Sequence, residues 1–116
     1  MTKPMNVLVD IDGTVSDDIP NEESHKFGDA KVIEGSVESV NRLHDDGHII
    51  TFFTSRTEIH REVTEAWLIR NGFKYKSLLM GKPRGGNYVW VDNLLKGGVS
   101  FDGSWKNAMS EIYHMN

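Results

Sequence analysis

The sequence predicts an α/β domain, doubly wound about a mainly parallel sheet. Three observations carry that expectation. Short apolar runs alternate with stretches of helical period along the 116 residues, as in strands joined by right-handed crossover helices. Val89-Trp90-Val91 is apolar on both faces, the pattern of a covered parallel strand. The length suits one core that buries roughly two-thirds of the unfolded surface, so a single domain over residues 1–116 is expected.

Met5 to Ile11 reads as a buried strand, and residues 12–34, rich in Asp, Pro, Asn, Glu and Gly, read as a turn followed by a long polar loop. Loops of that length in small domains commonly carry function. Val37, Val40 and Leu43 share one face of a first helix over 36–46, with Ser36 as its expected N-cap and Gly47 just past its end. Ile49 to Thr54 forms a second apolar strand. Ile59, Val63, Ala66 and Trp67 then mark the inner face of a second helix, closed by Asn71-Gly72. A third strand is expected over 73–80, a fourth over Tyr88 to Val91 and a short edge strand over Val99 to Phe101. Ser104 caps a last helix carrying Trp105, Ala108, Met109 and Ile112.

Composition narrows the function classes. The net charge of -4 divides unevenly: residues 1–60 hold 5 basic and 12 acidic side chains, and 61–116 hold 8 and 5. Solvated helix and loop faces are the simpler account of this split, and a metal near one half with an anion near the other is the sharper one. No basic stripe with interleaved aromatics points to broad nucleic-acid binding. The absence of cysteine excludes disulfides and thiolate metal sites, and suits a reducing cytoplasm. No apolar run is long enough to span a bilayer and no secretory leader is evident, so a cytoplasmic protein without membrane contact is expected.

The chemistry begins at Val7-Leu8-Val9-Asp10-Ile11-Asp12-Gly13-Thr14. Alternation along a strand sends Asp10 and Asp12 to one side and Ile11 into the core. Asp10, Thr54 and Asp92 end the first, second and fourth strands, and Lys82 lies in the loop before the last of them. All four are expected on one rim, since ligands in such folds bind beyond the carboxyl ends of the strands. Carboxylate oxygens and waters there suit Mg2+ shared with a substrate phosphate. Lys82 and the Thr54 hydroxyl would bind the phosphoryl oxygens as charge spreads over them, while one carboxylate attacks phosphorus.

At these residues the chain resembles the haloacid dehalogenase superfamily of aspartate-nucleophile phosphohydrolases. Four motifs stand in order: Asp10-Ile11-Asp12-Gly13-Thr14, Phe53-Thr54-Ser55-Arg56, Gly81-Lys82-Pro83 and Val91-Asp92-Asn93. The resemblance implies a Rossmann-like three-layer α/β/α core. It makes Asp10 the nucleophile of an aspartyl-phosphate, and Asp12 the acid that protonates the leaving oxygen and then activates water. It assigns Mg2+ to the Asp10 carboxylate, the Asp12 carbonyl and Asp92, and substrate binding to Thr54, Ser55, Arg56 and Lys82. Asn93 stands where many members carry a second acid, which lowers the negative charge offered to a metal.

Little chain remains for a cap domain, so the resemblance is to the capless subclass, whose members oligomerise over the site or act on accessible phosphates. Within it the second and third motifs are most similar to small proteins found with bacterial polysaccharide biosynthesis, which implies a sugar phosphate as substrate; a nucleotide is the other small-molecule phosphate expected. Two rivals remain. A polynucleotide-end phosphatase would share the chemistry on an open site, which leaves a nucleic-acid end as a minor substrate class. A signalling receiver would also gather acids, a Thr and a Lys, but in a different order along the chain.

Each residue also has a plainer reading. Asp12-Gly13 alone suits a hairpin turn; Lys82 alone suits a surface charge; Thr54 and Asp92-Asn93 suit strand-end turns. A calcium loop would need glycine at Val15, and a nucleotide-binding loop would need glycine at Lys76 and Ser or Thr at Pro83. Arg56 and Arg84 are read as solvated or as substrate ligands. Asp17 and Asp18 are read as solvated loop acids. His44 and His48 have helical ligand spacing, but Gly47 intervenes, and His25 and His60 stay unassigned. Trp67, Trp90 and Trp105 are read as core or subunit-interface residues.

Overall fold

A computed structural model describes residues 3–115. The fold is α/β, with a parallel three-stranded sheet in the order β1-β2-β3: β1 is Asn6–Asp10, β2 is Ile49–Phe53 and β3 is Ser77–Leu79. Helices α1 (Ser36–Asp45) and α2 (Arg61–Arg70) make the crossovers, and α3 (Trp105–His114) follows a long irregular segment. This is a Rossmann-like α/β arrangement with a parallel sheet and no cap domain among the described residues, the fold class that the sequence predicts.

Register fixes which face is buried. Val9, Phe52 and Leu78 are partners across the sheet and all three are buried, with Ile50 and Leu43 beside them in one apolar cluster. Trp67 stacks on Phe73, whose ring meets Phe52 edge-on at 5.5 Å. The alternate row, Asp10, Phe53 and Leu79, faces the other way. Leu79 is exposed there, and Trp90 from the irregular segment lies edge-on to Phe53 at 6.3 Å.

Local chemistry explains the helix ends and corrects two expectations. Ser36 is the first helical residue of α1, not its cap; Gly35 holds that position at φ +82°, and the Ser36 hydroxyl donates to the Val15 carbonyl at 3.4 Å. Gly47, at φ +100°, closes α1 by donating to the His44 carbonyl while His48 N–H donates to that of Leu43. Ile59 is 85% exposed and Ala66 is exposed. A 3-10 turn over Glu58–His60 precedes α2 and puts Ile59 out of its period, so Thr64, Trp67 and Leu68 form the buried stripe.

The expected polar loop over 12–34 is instead a packed segment. It contains a 3-10 helix, Asn21–Asp29, and bridges joining Ser16 to Asp12 and Val32. Phe27 is fully buried, and Trp67 Nε1 donates to the Ala30 carbonyl at 2.8 Å. Neither of the last two expected strands forms. Tyr88 to Val91 is irregular and unpaired, with Val89 and Val91 90% and 93% exposed, and Val99 and Phe101 pack against the core as irregular chain. A further parallel strand needs a crossover of about a dozen residues. Only residues 80–87 separate β3 from Tyr88, and they contain Pro83 and three glycines at positive φ.

Candidate active site

The turn after β1 sets the first groups. Gly13, at φ +82°, lets the chain reverse so that the N–H groups of Thr14, Val15 and Ser16 all donate to the Ile11 carbonyl. Asp10 then stands at the strand end with its side chain about one-third exposed. Its Oδ1 accepts from Lys82 Nζ at 3.1 Å and its Oδ2 from Thr14 Oγ1 at 3.2 Å. The Lys82 ammonium also lies 4.2 Å from the Phe53 ring centroid and 4.3 Å from that of Tyr88. A lysine held by one carboxylate and two ring faces is oriented, yet it keeps donor capacity for an incoming anion.

Backbone bonds join the loops that carry the other groups. Thr54 N–H donates to the Leu79 carbonyl, Gly81 N–H to that of Arg56, and Lys82 N–H to that of Thr54, each within 2.9 Å. The position of Lys82 is therefore tied directly to the end of β2. Thr54 is buried; its hydroxyl donates to Asp12 Oδ2 at 3.4 Å and accepts the Arg56 N–H at 3.2 Å.

Arg56 is fully buried and grips Asp12 with two nitrogens, Nε to Oδ2 at 3.1 Å and Nη2 to Oδ1 at 2.8 Å. Nη1 donates to Thr64 Oγ1 at 3.0 Å, and the guanidinium lies over Phe27 at 3.9 Å. The packed 12–34 segment thus supplies the apolar surface above this ion pair. Bidentate pairing fixes the Asp12 carboxylate in direction as well as position.

Asp10, Asp12, Thr54, Arg56 and Lys82 are brought together. Arg56, read as solvated or as a substrate ligand, sits in neither setting, because it is enclosed against Asp12. Ser55 is half-buried beside them and makes no side-chain hydrogen bond among the described residues. Asp92 is not brought in: it is exposed, and its Oδ1 accepts the N–H of Leu94 within its own turn. The cause is the missing fourth strand, whose end was to deliver it.

The three expected Mg2+ donors therefore do not fit a shared ion. Asp92 stands apart from Asp10, and among the described residues no group of three or more His, Asp or Glu side chains is placed to hold one. Thr14, Phe27 and Thr64 were not singled out as site residues. Thr14 was visible inside the first motif, and Phe27 as the one aromatic side chain in a polar stretch. His44 bonds Asp45 and His48 accepts the Met5 N–H, so these two histidines serve separate partners. A surface cleft lined by Arg61, Glu65, Tyr75 and Lys76 lies between α2 and β3, apart from the reactive groups.

Comparison with known proteins bears on this geometry. The family profile described as "PITM 1-3, LNS2 domain" matches residues 7–88. A protein of Oceanobacillus iheyensis named for an inferred nucleotidase activity is 40% identical over 47 residues, 40% of this chain and 25% of its own. The chain thus spans a quarter of the length of that curated relative. A chain in the Pnkp1/Rnl/Hen1 RNA repair complex superposes with a TM-score of 0.59 at 25% identity, over 66% of this chain and 25% of that one. A second structure of the Pnkp1/Rnl/Hen1 complex gives 0.60 at 26% identity over 78% and 31%. A Vibrio cholerae protein solved by crystallography matches end to end, with a TM-score of 0.65 at 17% identity over 97% and 96%, and shows the fold alone. With the profile spanning residues 7–88, this chain belongs to the LNS2 domain family.

Proposed function

We propose that the protein hydrolyses a phosphate monoester through an aspartyl-phosphate on Asp10. The observation that carries this reading is the Asp10 carboxylate on an accessible rim with Lys82 Nζ 3.1 Å from Oδ1. An Asp10 oxygen attacks phosphorus, the bond to the ester oxygen breaks, and Asp12, which enters the step protonated and with one oxygen released from Arg56, gives the ester oxygen its proton. Water then attacks the acyl phosphate, Asp12 takes its proton, and inorganic phosphate leaves with Asp10 restored. Lys82 offsets charge on the phosphoryl oxygens and Ser55 lines their approach, while the Thr54 hydroxyl, expected on the phosphoryl group, is buried and donates to Asp12 instead. Arg56 acts by holding Asp12 in line.

Mg2+ is the ion that the resemblance implies, and Asp92, one of its three expected donors, stands away from the rim. Phosphate release that EDTA stops and Mg2+ restores, and that Asp92→Asn also stops, would mean that the segment carrying Asp92 joins the rim during turnover.

For substrate, the sequence resemblance favours a sugar phosphate. A polynucleotide end is the second reading, favoured by the likeness to the RNA repair complexes. Phosphate release from p-nitrophenyl phosphate, sugar phosphates, nucleotides and an oligonucleotide 3′-phosphate tests both. Wild type is expected to release phosphate and form an adduct that hydroxylamine discharges. An adduct that persists without release would instead support a receiver.

A further inference from the structure

We infer that Trp90 and Tyr88 form a stacking platform that selects phosphate monoesters carrying a nucleobase. This deepens the phosphatase reading by naming its substrate class. The two rings are about half exposed, although an aromatic ring gains from burial; Tyr88 lies against the Lys82 ammonium and Trp90 against Phe53. Lys82 Nζ bonds Asp10 and lies against the rings of Phe53 and Tyr88. Trp90 then flanks Phe53, with centroids 6.3 Å apart and planes at 72°. From Asp10 outward the order is carboxylate, ammonium, inner ring, outer ring.

That order matches a ligand with an anion at one end and a planar group separated from it by a spacer. Phosphate meets Lys82, and the planar group reaches past Phe53 to Trp90. A phenyl phosphate, with its ring bonded through one oxygen, would place the ring at Phe53 and leave Trp90 untouched. A nucleotide, with a sugar between phosphate and base, spans the distance. Arg84 lies between Lys82 and Tyr88 in sequence and adds a second cation on the segment, which suits an anionic ligand. Stacking on an aromatic face tolerates any base, so recognition of this kind selects the class and not the sequence.

The test compares binding by wild type and Trp90→Ala, titrated with adenosine 5′-monophosphate, ribose 5-phosphate, phenyl phosphate and a short RNA bearing a 3′-phosphate. Wild type is expected to prefer the base-bearing ligands, and Trp90→Ala to cut that preference roughly tenfold to a hundredfold, with Trp90→Phe restoring much of it. The RNA and the mononucleotide separate the two sources of a base, since the tighter of them identifies which the platform serves. An unchanged preference in Trp90→Ala, or an equal loss for ribose 5-phosphate and phenyl phosphate, overturns the platform. Phosphate release on the same samples keeps the two ideas apart. Trp90-dependent binding without release would keep the platform and defeat the phosphatase reading, and release without Trp90-dependent preference would do the reverse.

Discussion

Asp12 and Arg56 are paired behind the reactive rim, and most of what is specific to this chain follows from that contact. Arg56 is fully buried and the Asp12 side chain is 14% exposed, so removing either partner leaves a charge with little water to solvate it. Arg56→Ala is expected to cost about 3–5 kcal/mol of folding stability, read from urea denaturation, and to lower kcat as Asp12 loses its orientation. Phe27→Ala removes the ring under the guanidinium and should cost a similar ~3–5 kcal/mol. Asp10→Asn is expected to abolish phosphate release while circular dichroism and the melting temperature stay near wild type, because Asp10 is partly solvated and its removal opens no cavity. Undiminished turnover in that variant would end the covalent mechanism. The pair was hidden in the sequence for a plain reason. Asp12 and Arg56 are 44 positions apart, and an arginine beside a strand end reads as solvated until the fold encloses it.

At the scale of elements, the strands and helices with a clear period were legible, and the segments whose order comes from tertiary packing were not. β1, β2, α1 and α3 lie where alternation and helical spacing put them. The 12–34 segment read as loop because its polar composition outweighed Phe27, and Tyr88 to Val91 read as a strand because apolar residues cannot show whether a crossover exists to deliver them. Helix α3 gives a pH prediction. The Ser104 side chain caps it by accepting from Asn107 N–H. Asp102 extends the cap, and the Asn107 amide and then the Ser104 N–H hold its carboxyl below its ordinary value of 3.8. A lowered folded pKa means stability present above the unfolded value and lost as pH falls through the folded one. The benefit therefore fades below about pH 3.8. Tyr113 behaves oppositely, since burial first and the bond to Asp46 second push its phenol above 10.0, so its contribution is lost as pH rises beyond that value. Melting temperatures of wild type and Asp102→Ala are expected to differ at pH 5 and to converge near pH 2.

For the molecule as a whole, the rim is open and its far wall is a strap without regular hydrogen bonding. Among the described residues β1 pairs only with β2, and Val89, Val91 and Leu94 are almost fully exposed. Limited proteolysis is expected to cut first between residues 83 and 98, and a bound nucleotide to slow that cut, as mass spectrometry of the fragments would show. Asp10, Asp12, Thr54 and Lys82 could be brought together on paper because each ends a strand or follows one. Asp92 could not be placed, since its position depended on a strand that the connection is too short to form. One contact ties the last helix to the first turn: Trp105 Nε1 donates to the Thr14 carbonyl at 2.8 Å, across 91 positions of sequence. The residue that steadies the nucleophile is thus latched from a helix made 91 positions later. The first turn cannot take its final set until the segment carrying Trp105 has been synthesised and has folded back onto it.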